Sequence, residues 1–182
     1  EDPWLVLTGD HGEEFREHGA FSHHPKLYEE VTRVPFVLRV PDREFSPPEL
    51  VSLLDVVPTL PGPLDEITAT DVFAGKDLAS GATREYVVTE TNPEDGEVMV
   101  GVRSANYKYI VHDDDRELYN LSTDAAEREN LAGRGHDVEA ELHNVVTKHL
   151  EEHDVAGGDK LAATVGNLDS ETQGRLEDLG YL

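Results

Sequence analysis

Trp4 to Thr8 forms a short apolar run that stops at Gly9-Asp10, the pattern of a buried parallel strand and the loop at its carboxyl end. Pro25 to Arg33 can hold a short helix, and Val34 to Val40 reads as the next strand, ended by Pro41. From Pro48 to Leu60, residues Leu50, Leu53, Leu54 and Val57 recur at helical spacing until Pro58, Pro61, Gly62 and Pro63 break it. Gly62 to Thr83 lacks periodicity and reads as a connector. Three strand-like runs follow, at Tyr86–Thr91, Val98–Val102 and Tyr107–Val111, with turns at Asn92-Pro93-Glu94-Asp95-Gly96 and Ser104-Ala105-Asn106. Glu117 to Asn120 is a candidate fourth strand. His136 to His153 then sets Val138, Leu142, Val145, Val146 and Leu150 on one helical face, suited to packing on that sheet. Past Gly157-Gly158, Ser170 and Gln173 have capping-box spacing for a last short helix. The order suggests one end of an α/β layered domain over residues 1–84, then a small α+β unit over 85–182, with an antiparallel sheet packed against a helix.

Charge narrows the range of functions. The 182 residues carry 15 Lys+Arg against 39 Asp+Glu, a formal net charge of -24. Such a surface repels nucleic acid and anionic membranes, so neither is an expected partner. The acids are spread along the chain rather than gathered in a tail, as in a surface adapted to high salt, where screening relieves self-repulsion. The absence of cysteine rules out disulfides and thiolate metal sites. No apolar run approaches the roughly 18 residues of a membrane span. The chain opens at Glu1 almost directly on a strand-like run and without a signal peptide. The expectation is therefore a cytoplasmic protein whose natural N-terminus lies further upstream.

Four of the nine histidines, His11, His18, His23 and His24, follow the first strand closely, with Asp10, Glu13, Glu14 and Glu17 among them. Ligands of open α/β sheets bind beyond the carboxyl ends of strands, where Asp10 and His11 would lie. Gly9 and Gly12 permit a tight turn that aims both side chains at one point. A carboxylate with an imidazole suits a divalent cation polarising an anionic ester oxygen. The alternative is a solvated turn with a satisfied histidine; the neighbouring glutamates are read as solvated.

A wider ordered pattern runs through Leu5-Val6-Leu7-Thr8-Gly9-Asp10-His11-Gly12-Glu13-Glu14-Phe15, Glu17-His18-Gly19, His24, Tyr28-Glu29-Glu30 and Arg33-Val34-Pro35. It continues through Asp55-Val56-Val57-Pro58-Thr59-Leu60, Val102-Arg103, Tyr107-Lys108-Tyr109-Ile110, Glu117-Leu118-Tyr119-Asn120-Leu121 and Glu129-Asn130-Leu131. It closes on Arg175-Leu176-Glu177-Asp178-Leu179-Gly180-Tyr181. In order and spacing these motifs resemble the sulfatase family of the alkaline phosphatase superfamily, C-terminal portion only.

The resemblance implies an alkaline-phosphatase-like fold and sulfuric ester hydrolysis, on a sulfate ester of a small molecule or glycan. It implies a metal loop over residues 9–24, with Asp10 and His11 as ligands of a divalent ion, calcium first and manganese or magnesium as alternatives. His24, four positions before Tyr28, takes the place of the family's sulfate-contacting lysine or histidine and becomes the catalytic and substrate-binding candidate. His23 is the fallback substrate contact, and Lys26 a weaker one. His18, Gly19, Tyr28, Glu29 and Arg33 are expected to fix the loop and the helix after it. The family's formylglycine nucleophile arises in a Cys/Ser-x-Pro-x-Arg motif that these residues lack. Ser46-Pro47-Pro48-Glu49-Leu50 has leucine where arginine is required. The chain by itself is thus expected to be inactive. His11 brings a nitrogen where calcium prefers oxygen, and the Asp-His version of the motif is similar to that of relatives that hydrolyse phosphonate or phosphate esters with manganese or similar ions, so such a hydrolase is the alternative; a non-catalytic remnant is the other.

Overall fold

The computed structural model describes residues 3–41, 46–60, 74–92 and 98–153. The expected capping box at Ser170 and Gln173, the closing segment through Tyr181, the turn at 93–97 and most of the connector lie outside them.

Strand β1 (Leu5–Thr8) leads into a hairpin of β2 (Glu14–Phe15) and β3 (Phe21–Ser22). A single turn of helix, α1 (Glu29–Thr32), precedes β4 (Phe36–Arg39). β1 pairs with β4 antiparallel, Leu5 opposite Arg39 and Thr8 opposite Phe36. This corrects the expected buried parallel strand. A parallel return needs a crossover, usually a long helix; here the connection holds only a hairpin and one helical turn, so the chain doubles back. Nor is the pair buried: Leu5, Leu7 and Val37 stay exposed on a sheet of two strands.

The Pro48–Leu60 segment forms a 3₁₀ turn at Leu53–Asp55 and one α-turn, α2 (Val56–Thr59), instead of a continuous helix. Pro58 cannot donate to an earlier carbonyl, so extension is disfavoured. The segment is held by Asp55, which is fully buried and accepts from the backbone N–H groups of Ser52 (2.8 Å) and Lys76 (2.7 Å) and from the Arg84 guanidinium. Ser52 and Asp55 have capping-box spacing, but the partners at Lys76 and Arg84 lie 21 and 29 positions away and left no local signal.

The later strands follow the sequence closely. β5 (Val87–Thr91), β6 (Met99–Arg103), β7 (Tyr107–His112) and β8 (Asp115–Asn120) form an antiparallel meander in the order β5-β6-β7-β8. Alternation sorts its side chains to two faces. Val100, Val102, Tyr109 and Leu118 meet Leu142 and Val146 of α3 (Asp137–His153), the expected packing of helix on sheet. The opposite face offers Ile110 and Tyr119, which bury against Leu27 with Met99, Tyr28 and Leu121 around them. Gly101 lies there too; a Cβ at this position would come within 3.2 Å of the Leu27 side chain. The meander is therefore sandwiched between α3 and the segment that follows the histidine loop. That is why β6 and β7 read as nearly continuous apolar runs instead of strict alternation.

Candidate functional site

Gly9 and Asp10 follow β1 directly, and the loop then turns back onto α1. The Gly12 N–H donates to the Val31 carbonyl at 2.7 Å, and a Cβ on Gly12 would lie 1.9 Å from the Glu30 carbonyl oxygen. Only glycine lets the loop approach this closely. Within the loop, His11 Nδ1 lies 2.8 Å from the Gly12 carbonyl. A carbonyl only accepts, so Nδ1 carries the proton and Nε2 of the neutral ring keeps its lone pair. That Nε2 stands 4.0 Å from Asp10 Oδ2, while the other Asp10 oxygen accepts the His11 N–H at 3.0 Å.

Donors about 2.0–2.2 Å from one cation stand roughly 3.4 Å apart in a tetrahedral site, so the 4.0 Å pair would have to draw closer to share a divalent ion. The fit is partial, because no group of three or more His, Cys, Asp or Glu side chains able to hold a metal occurs among the described residues. Among the described residues the structure brings these two candidate side chains together.

The other two candidates line the same cleft, a space of about 660 Å³ bordered by Asp10, His11, His23, His24, Lys26 and Arg33 among others. His23 is half-buried, its ring centroid 4.5 Å from that of His11 and its Nδ1 3.5 Å from Glu13. His24 is exposed on the cleft wall. The turn that delivers both runs through Ser22, whose φ of +92° lies in the region favoured by glycine. A non-glycine residue there costs about 1–3 kcal/mol, held by the surrounding packing.

Several loop residues do more than the sequence revealed. Glu14, expected in solvent, is fully buried. Its carboxylate accepts from the N–H groups of His18 (3.0 Å) and Ala20 (2.7 Å) and from the Lys26 ammonium (2.9 Å). The period-two geometry of a two-residue strand explains the miss. Phe15 and Phe21 face solvent together, so Glu14 must face inward. Lys26 is thereby occupied as an internal counter-ion. Its hydrogen bond, against the desolvation of burial and with help from the Ala20 amide, holds the Glu14 carboxyl below the ordinary 4.5.

His18 matches its expected structural part. Its ring stacks on Tyr28 at 3.7 Å, with Nδ1 2.5 Å from Glu30 and Nε2 3.0 Å from the Glu127 carbonyl. Tyr28 donates to Glu117 at 2.9 Å, and Glu29 meets Lys108 (3.1 Å) and Arg103 (3.3 Å). Arg33 fixes α1 only through its N–H, 2.9 Å from the Glu29 carbonyl, while its side chain lines the cleft.

An acid-stability prediction arises here. A carboxyl whose pKa is depressed by folding stabilises the fold above its unfolded value and loses that contribution as pH falls through its folded value. Glu14 and Glu29 both act in this direction. Glu127, pushed up by its burial, acts the other way. Thermal midpoints measured from pH 6 to pH 3 are expected to fall below about pH 4.5, and less steeply in Glu14→Gln. Identical slopes for the two proteins would remove Glu14 from the account.

No protein-family model matches the chain. Among curated proteins it is 32% identical over 145 residues to the Delta 4,5-hexuronate-2-O-sulfatase of Bacteroides thetaiotaomicron, covering 70% of this chain and 30% of that one. It is 26% identical over 146 residues to the uncharacterized sulfatase YidJ of Escherichia coli, covering 68% and 29%. Among solved structures, a Bacteroides thetaiotaomicron protein assigned to the sulfatases superposes with a TM-score of 0.70 at 26% identity, over 82% of this chain and 36% of its own. The structure of a 2-O GAG sulfatase shares the fold, with a TM-score of 0.63 at 24% identity. The chain spans about 30% of the length of the curated relatives it matches.

Proposed function

Homologous to the sulfatase family over most of its length, this chain, we propose, supplies part of the divalent-metal and sulfate-binding site of a sulfuric ester hydrolase. The observation that carries the reading is the placement of His11: Nδ1 lies 2.8 Å from the Gly12 carbonyl, and Nε2 lies 4.0 Å from Asp10 Oδ2 on the wall of a cleft. Asp10 and His11 would hold the cation, which supplies Lewis-acid polarisation of a sulfuryl oxygen. His24, protonated, balances charge on the sulfuryl oxygens or on the leaving oxygen. His23, packed against His11, orients the loop and serves as the second contact. Sulfated sugars are the substrate class we favour, because a hexuronate-2-O-sulfatase is among the relatives, at 32% identity.

These residues hold no Cys/Ser-x-Pro-x-Arg motif, and the described ones bring together only two candidate ligands, so the chain alone is expected to be silent. Incubation with an aryl sulfate and an aryl phosphate, with calcium or manganese supplied, should give no turnover above buffer. Metal-dependent turnover that disappears in Asp10→Ala would reject the reading of an incomplete site.

One feature favours a second reading on the same fold, a phosphonate or phosphate ester hydrolase. The nitrogen of His11 suits manganese better than calcium, which prefers oxygen ligands. Hydrolysis of aryl phosphate in preference to aryl sulfate, by an enzyme that includes this chain, would select it.

A further inference from the structure

Charged groups are packed between α1 and the meander outside the apolar core, and Glu29, Arg103 and Lys108 among them also line the cleft. Lys108 on β7 is only 3% exposed. Its ammonium reaches Glu29 Oε1 at 3.1 Å, Thr32 Oγ1 at 2.7 Å and Glu127 Oε1 at 3.6 Å. Arg103 on β6 donates to the other Glu29 oxygen at 3.3 Å. Glu127 is 2% exposed, and its second oxygen accepts the Glu29 N–H at 2.6 Å. Its Oε1 has no hydrogen-bond partner, and its φ of +52° is unusual for a glutamate.

Burying two carboxylates and an ammonium is expensive unless each is compensated. A strained backbone beside them persists only where its surroundings over-determine it. Apolar residues would fill the space between β7 and α1 at lower cost. What the charged set adds is registration, since α1 can satisfy it in one position only.

Both ends of the histidine loop are fastened to α1. Gly12 donates to Val31, and His18 stacks on Tyr28 and meets Glu30. His18 also reaches the Glu127 carbonyl, so the same glutamate holds the loop by its backbone and α1 by its side chain. A continuous path thus leads from Lys108 through Glu29 and Thr32 to α1, through Val31 to Gly12, and from the Gly12 carbonyl to His11 Nδ1.

We infer that Lys108 and Glu127 are positioning residues that set the histidine loop, and through it His11, from the meander. The inference rests on the proposed function only in giving His11 its part as a ligand; the mechanical coupling stands without it. Carbonyl partners of ligand histidines are a known control on metal affinity. Here the control would extend one layer further, into a strand about a hundred positions away.

The test uses the 182-residue chain, Mn²⁺ as probe, and the variants Lys108→Met and Glu127→Gln, the second keeping shape while removing charge. Methyl resonances of Val102, Leu118 and Val146 report the core on the α3 face, and imidazole resonances of His11 and His18 report the loop. In both variants the core resonances should stay in place while those of His11 and His18 move. The Mn²⁺ dissociation constant, read from broadening at His11, should rise about 10–100-fold. A folded Lys108→Met with unmoved His11 and His18 resonances and wild-type Mn²⁺ affinity would overturn the inference. If Lys108→Met fails to fold, Glu127→Gln decides by the same criteria. If the wild-type chain leaves Mn²⁺ unbound, the metal reading falls, and the loop resonances alone uphold or reject the coupling.

Discussion

In an enzyme that joins this chain to the rest of a sulfatase, His24→Ala is expected to lower kcat about 10²–10⁴-fold, the usual loss for a positioned acid, with metal content unchanged. The expectation follows from location. His24 stands exposed on the wall of the cleft that also holds Asp10 and His11, where its imidazole is available to an incoming anion. Asp10→Ala should behave differently, because it deletes a ligand: metal and activity fall together. His23→Ala separates two registers of the loop. With its ring against His11 and its Nδ1 near Glu13, His23 is placed to support the ligand, so its loss should be mild for kcat. A crippling His23→Ala beside a harmless His24→Ala would move the catalytic assignment by one residue. Metal analysis alongside kinetics on the three variants distinguishes these outcomes.

Leu142→Ala is expected to cost about 2–5 kcal/mol of stability, the range for a buried leucine truncated in a packed core. Leu142 is fully buried in α3 and belongs to one cluster with Val100, Val102, Tyr109, Leu118 and Val146. The cavity would open within the cluster through which α3 packs on the meander, where collapse is restricted by β6 and β7. Against a typical total of about 5–15 kcal/mol, this is a large fraction. Urea unfolding followed by far-ultraviolet circular dichroism should show the midpoint shift with little change in slope. Leu150→Ala on the same helix, partly exposed at 37%, should cost far less. Equal losses at the two positions would mean that α3 is not docked through Leu142.

The contrast between those two leucines shows how far local pattern reaches. Helical spacing placed Leu142 and Leu150 on one face, and contact with the sheet separated them. The meander and α3 were legible because each strand pairs with its neighbour in sequence, so short-range turns settle the register. The Asp-His pair could be singled out from the sequence as well, since two adjacent residues after a strand need no long-range information. Three features were not. β1 was read as parallel because an apolar run carries no direction; only its pairing with β4 supplies one. Glu14 was assigned to solvent because the inward side of a two-residue strand is fixed by its hairpin partner, Phe21 opposite Phe15. The buried set of Glu29, Lys108 and Glu127 was invisible because its members lie 79 and 98 positions apart along the chain. By itself the sequence determined the residue types of the candidate site and the order of the later strands. Which carboxylates are buried, which ammonium compensates them and what holds the histidine loop were decided by tertiary packing, since the energy of a charge depends on what surrounds it in space.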